Sequence, residues 1–103
     1  MPRDTPTYPL EQIQAAVRQG RYLITRRAAD DAAALQFDED DIKQCVLALR
    51  DVDFCKTMAS RQVEGLWQDV YRCRYCGRPI YVKVQIGGDG RAIVIAFKTD
   101  ESA

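Results

Sequence analysis

The sequence predicts an α+β fold, an antiparallel sheet with N-terminal helices packed on one face. Two observations predict it. Apolar residues recur at helical spacing from about residue 9 to about residue 50, then at a period of two from about residue 52 to about residue 98. A third observation bounds the size. The chain has 103 residues, 47% of them apolar, enough for one core, and residues 1–103 are read as one domain.

Each element has its own local reason. Leu10, Ile13, Ala16 and Val17 form the apolar stripe of a first helix, with Pro9 suited to its first turn and Gly20 to its C-terminal cap. Tyr22–Ile24 reads as a brief strand. Thr25 is placed to cap an alanine-rich helix over Arg26–Leu35. Asp38 is placed to cap a third helix. Glu39, Asp40 and Asp41 then fall in its first turn, where the helix dipole favours negative charge. Ile42, Cys45, Val46 and Leu49 form its stripe. Val52–Met58 and Leu66–Arg72 read as strands. Ile80, Val82, Val84 and Ile86 alternate with Tyr81, Lys83 and Gln85, the pattern of a half-buried strand. Gly87-Gly88-Asp89-Gly90 makes a tight connection to Arg91–Lys98, and the two strands form a hairpin.

Fifteen basic residues balance fifteen acidic ones, and there is no histidine. The balance is not uniform. Residues 1–54 hold seven bases and ten acids, whereas residues 55–103 hold eight bases and five acids. A basic half of this kind suits an anion such as RNA, although two ordinary solvated faces would look the same. The missing histidine excludes Ser-His-Asp and Cys-His hydrolases, His-ligated metals and imidazole acid–base pairs. The longest apolar run, Ala92–Phe97, is of strand length and far short of the roughly 20 residues of a membrane helix. The polar, proline-rich start does not read as a signal peptide, and the expected compartment is the cytoplasm.

Strand alternation assigns faces. The all-apolar side of Ile80–Ile86 must be the core side, which leaves Tyr81, Lys83 and Gln85 on the other. In Leu66–Arg72 the same alternation groups Gln68, Val70 and Arg72 against Trp67, Asp69 and Tyr71. In the last strand Ile93, Ile95 and Phe97 read as the bulky core side, and Ala92, Val94, Ala96 and Lys98 as the open side. An open face would then carry Gln68, Arg72, Tyr81, Lys83 and Lys98. A solvated sheet face is polar by default, so the pattern alone does not require a site. Such a face could nonetheless cleave RNA. The substrate brings its own nucleophile, the 2′-OH, and needs only charge on the phosphate and proton transfer to and from oxygen. Tyr or Lys serves if its pKa moves toward neutrality, and a cationic cluster is expected to lower both.

Cys73-Arg74-Tyr75-Cys76-Gly77 has the shape of a zinc knuckle, but zinc needs four ligands. Cys45 lies on a helix stripe and Cys55 in a strand, so neither makes a second knuckle. The thioredoxin-like context of a redox dithiol is also missing. The favoured reading is two thiols in a loop and two buried ones, and no cofactor.

Four blocks occur in order: Asp53-Phe54-Cys55-Lys56-Thr57-Met58, Leu66-Trp67-Gln68-Asp69-Val70-Tyr71-Arg72, Ile80-Tyr81-Val82-Lys83 and Ile95-Ala96-Phe97-Lys98. In these blocks, and in Thr5-Pro6, the helix ending near Gly20 and the opening Thr25-Arg26, the sequence resembles the MqsR family over about residues 5–98. The Cys73–Cys76 segment lies outside that pattern.

The resemblance implies a RelE-like fold and a metal-independent endoribonuclease toxin of a bacterial type II toxin–antitoxin system. Such a toxin cuts mRNA at GCU-like sites and stops translation. Its implied partners are mRNA and a cognate antitoxin, often zinc-binding with a helix-turn-helix, in a hetero-oligomer. The family's functional lysine, glutamine, tyrosine and final lysine fall on Lys56, Gln68, Tyr81 and Lys98. Lys56 comes from the resemblance alone. The expected roles are proton transfer and phosphate charge for Tyr81 and Lys56, a base-edge or phosphate hydrogen bond for Gln68, and RNA backbone binding for Lys98, Arg72 and Lys83. The alternative is a non-catalytic RNA- or protein-binding module of the same fold.

Overall fold

A computed structural model describes residues 4–102; residues 1–3 and 103, the ends of the span read as one domain, lie outside the described residues. The elements are helix α1 (Leu10–Arg18), strand β1 (Tyr22–Ile24), helices α2 (Arg26–Ala34) and α3 (Glu39–Ala48), and strands β2 (Phe54–Ala59), β3 (Trp67–Tyr75), β4 (Arg78–Ile86) and β5 (Ala92–Thr99). The class is α+β, as the change of period predicts.

The caps work as their side chains dictate. The Thr25 hydroxyl accepts the Ala28 N–H at 3.1 Å. At α3 the Asp41 N–H donates to the Asp38 carboxylate at 3.0 Å, and the Asp38 N–H donates back to the Asp41 carboxylate at 2.9 Å. The strand predicted over Val52–Met58 starts late. Residues Asp51–Asp53 form a 3₁₀ turn because the Asp53 carboxylate takes the Arg50 N–H at 2.9 Å, so extended pairing begins only at Phe54. The presumed loop around Cys73 is also strand. β3 continues to Tyr75, and only Cys76 (φ 50°) and Gly77 (φ 78°) turn the chain into β4. Positive φ at both residues matches the right-handed twist of a two-residue hairpin.

The sheet order is β1-β5-β4-β3-β2. The pairs among β2 to β5 are antiparallel, while β1 runs parallel to β5. One apolar cluster unites Leu10, Ile13 and Val17 of α1, Ala28 and Ala32 of α2, and Ile42 and Val46 of α3 with Tyr71, Val82, Val84 and Phe97 of the sheet. Among the described residues, the three helices therefore share one face, and no helix covers the other. The segment before α1 is fastened at the far end of the sheet. Asp69, fully buried, accepts the Thr7 N–H at 3.0 Å and the Tyr8 N–H at 2.9 Å. Its charge is buried because backbone donors take its lone pairs.

Two bulges reset the faces. Lys83 pairs with Ala96 but Val84 with Val94, which leaves Ile95 as an extra residue in β5. The expected assignment of β5 is overturned before that point: Ala92 and Val94 are the buried residues, while Ile93 and Ile95 are half-buried on the open side. After it the expectation holds, with Phe97 in the core and Lys98 across from Tyr81. In β2 the skipped residue is Cys55, between Phe54 opposite Tyr71 and Lys56 opposite Val70. Phe54 stacks edge-on with Tyr71, centroids 5.6 Å apart, on the helix side. Lys56 therefore falls on the open side with Val70.

Candidate active site on the open sheet face

Register builds the site in rows. Arg72, Tyr81 and Lys98 lie side by side on β3, β4 and β5. The next row is Lys56, Val70, Lys83 and Ala96, and the one beyond it starts with Met58 and Gln68. All six candidates thus share one face across four strands. Alternation along β3 and β4 accounts for Gln68, Arg72, Tyr81 and Lys83. The β2 bulge delivers Lys56, and no periodicity in the sequence signals it. Val70 is fully buried although no helix covers it, so the long side chains around it form the roof.

The face is not flat. A cavity of about 490 Å³ is lined by Gln68, Tyr81 and Lys83 together with Arg27, Arg61 and Ile95. Lys56 and Lys98 lie close enough to Lys83 to repel its charge, whereas Arg72 lines a neighbouring cleft. Arg72 leans outward, its guanidinium 3.7 Å from the Asp100 carboxylate. The Lys98 ammonium lies over the Tyr81 ring, 5.0 Å from its centroid, a cation–π contact. The Gln68 amide donates to the Gln85 side-chain oxygen at 3.0 Å, and Gln85 is itself buried. That bond fixes the orientation of Gln68 and leaves its carbonyl oxygen to accept.

Burial and charge shift two groups in opposite senses. Lys83 is held below its ordinary pKa, chiefly because it is half-buried, and then because Lys98, Arg61, Lys56 and Arg27 all repel its positive charge. Tyr81 is pushed above its ordinary value, first by burial and then by Cys55, while Arg72 opposes the shift. The expectation that the cationic cluster would lower both therefore holds for Lys83 and fails for Tyr81. The phenolate would lose more hydration than Arg72 restores. Tyr81 keeps its proton through the neutral range and suits a proton donor. Lys83 gives its proton up more readily than a free lysine and suits an acceptor.

Sequence reading misses Arg27, Arg61 and Ile95. Arg27 belongs to the acidic half, whose charge count hides it, and it reaches the cavity from the first turn of α2. Arg61 sits in the connection between β2 and β3, beyond any alternation. Cys55, expected to be buried, is half-buried and close enough to Tyr81 to affect it. Cys73 and Cys76 do not meet as a knuckle. Among the described residues no three Cys, Asp or Glu side chains are grouped to hold a metal ion. Nor is any described helix long and apolar enough to cross a membrane.

Comparison with known proteins adds two findings. Residues 5–99 match the family described as motility quorum-sensing regulator, toxin of MqsA. The chain is also 32% identical over 98 residues to the mRNA interferase toxin MqsR of Escherichia coli (strain K12), across 95% of this chain and 98% of that protein.

Proposed function

The chain belongs to the MqsR toxin family, and from that premise we propose that it is an endoribonuclease of a toxin–antitoxin system that cleaves mRNA through the substrate's own 2′-OH. The observation that carries the reading is the crowding of Lys98, Arg61, Lys56 and Arg27 around Lys83, beside Tyr81 and Gln68. Among the described residues, each charge that shifts Lys83 is positive. Such a face is unfavourable empty and becomes favourable when a polyanion enters it.

In the proposed reaction the scissile phosphate lies over Lys83 and Tyr81. Lys83, neutral in a fraction of molecules, takes the 2′-OH proton. The 2′ oxygen attacks phosphorus, and negative charge grows on the nonbridging oxygens. Lys56 and Lys98 meet that charge, which is where fixed cations lower the barrier most. Tyr81 donates its proton to the departing 5′ oxygen. The products are a 2′,3′-cyclic phosphate and a 5′-OH. Gln68, held by Gln85, offers its carbonyl oxygen to a base-edge amino group near the cut. Arg72, Arg27 and Arg61 hold the backbone on either side. Proton acceptance thus passes to Lys83, and Lys56 keeps the charge role. No step needs a metal ion.

The proposed setting is cytoplasmic. mRNA with GCU-like sites is the substrate, and a cognate antitoxin, zinc-binding with a helix-turn-helix, neutralises the toxin in a hetero-oligomer. The test is purified protein with a GCU-containing RNA in EDTA. Cyclic phosphate ends are expected, and cleavage should collapse in a Lys56→Ala, Tyr81→Phe double variant. Undiminished cutting by that variant would overturn the site. No cutting, together with no growth arrest on expression, would favour the non-catalytic module.

A further inference from the structure

The cysteines that do not enter the site meet elsewhere. Cys45 on α3 and Cys73 on β3 face each other across the helix–sheet interface, Sγ to Sγ 3.5 Å. Cys45 is 1% exposed, and Cys73 is half-buried. Both line a cleft of about 570 Å³ whose walls include Arg50, Asp53 and Arg74, and which adjoins the candidate active site at Arg72. A small solute thus has a way in to the pair. The cleft forms beside the start of β2. Phe54 pairs with Tyr71, so among the described residues no strand pairs with the outer edge of β3 from Arg72 onward, and the turn at 51–53 lies beside it.

We propose that Cys45 and Cys73 form an oxidation site that closes to an intramolecular disulfide on exposure to a hydroperoxide. A disulfide has an S–S distance of about 2.05 Å, so small side-chain adjustments close the gap. The chemistry has a direction. The hydrogen bond from Cys45 holds the Cys73 thiol below its ordinary pKa, while the same contact and burial push Cys45 up. Cys73 is also the more exposed of the two, and it is therefore the first nucleophile. Its thiolate attacks a peroxide oxygen, the O–O bond breaks, and the released hydroxide takes a proton to become water. Cys73 is then a sulfenic acid. Cys45 attacks that sulfur, its thiol proton leaves with the sulfenic hydroxyl as a second water, and the S–S bond forms. Two thiols are oxidised and one hydroperoxide is reduced.

Geometry selects this pair over its competitors. Cys76 stands three residues beyond Cys73 along extended chain, about 10 Å away in a straight strand, and its backbone is committed to the turn. Cys55 lies on the open face, on the far side of the sheet from Cys45. The closed loop would hold β2 and the first part of β3, and with them Lys56, Gln68 and Arg72, against α3. Closing a loop of this length removes freedom chiefly from the unfolded chain, and should raise the melting temperature by roughly 10–20 °C.

The test uses the full chain, treated with hydrogen peroxide or with a reducing thiol. The oxidised protein should lose two hydrogens by intact mass and fall from four titratable thiols to two. Peptide mapping should find Cys45 joined to Cys73, and reduction should reverse the gain in melting temperature. Cys45→Ser and Cys73→Ser should each abolish the link, and a Cys55→Ser, Cys76→Ser double variant should keep it. The double variant keeps the test decisive even if the Cys45 substitution fails to fold. Four free thiols after treatment, a Cys73–Cys76 link, or progression of Cys73 to sulfinic acid with no link would overturn the proposal.

Discussion

Within the six residues Trp67–Arg72, neighbours in sequence serve opposite sides of the sheet. Asp69 and Tyr71 are fully buried toward the helices. Asp69 holds two backbone amides of the N-terminal segment, and the Tyr71 ring packs on Phe54. Gln68 and Arg72 face outward among cations, and both keep polar partners that leave them partly free. The helix side buries its charge only where donors neutralise it. The open side gathers like charges that repel one another. Stability on one face thus supports an arrangement of mutually repelling charges on the other, and mutation should separate the two.

The harshest way to probe this division is at the β5 bulge. Val94→Lys should leave little folded protein by circular dichroism, since an unpaired charge in the core costs several kcal/mol, on the order of the whole stability. Ile95→Lys, one residue on, should fold normally because Ile95 faces the open side. Equal damage from both would show that the face assignment is wrong.

Tyr81→Phe should cut single-turnover RNA cleavage by about 10²–10⁴-fold, the usual worth of a proton donor, with the melting temperature nearly unchanged. Asp69→Ala should do the reverse. Orphaning the Thr7 and Tyr8 amides should cost about 3 kcal/mol and lower the melting temperature by roughly 10–20 °C, while protein still folded at low temperature cleaves normally.

The pH profile probes the open face more gently. If Lys83 must be neutral to act, the rate rises with pH, up to about tenfold per unit, until its lowered pKa is passed. The rate should then fall only where Tyr81 ionises, above the ordinary tyrosine value of 10.0. Lys83→Arg should be slow and lack the rise, because a guanidinium stays charged. A rise that persists in that variant would remove Lys83 from the acceptor role. The smallest effect belongs to the helix side. The Tyr71 hydroxyl is buried with no hydrogen-bond partner among the described residues, so Tyr71→Phe should be neutral or stabilising by up to about 1 kcal/mol in a denaturant melt.

Much of this was legible in the sequence. Thr25 and Asp38 act as caps, β1 occupies Tyr22–Ile24, and β4 alternates as read, because each depends on a side chain and the backbone within a few residues of it. Alternation also placed Gln68, Arg72, Tyr81 and Lys83 on one face, and the family blocks supplied Lys56. Less legible was anything set by a partner strand or a distant element. Nothing local to Arg27 or Arg61 points toward Lys83, and nothing local to Cys73 points toward Cys45.

By itself, then, the sequence determined the α+β class, the helix starts, the hairpin and the absence of any imidazole, all of which are local or compositional. Only the tertiary structure decided which way Ile93 and Ile95 point, that Lys56 joins the cationic face, that burial outweighs Arg72 at Tyr81, and that Cys73 meets Cys45. A bulge is fixed by the hydrogen-bond register with a neighbouring strand. A pKa is fixed by the water and charges that the whole fold removes or brings near.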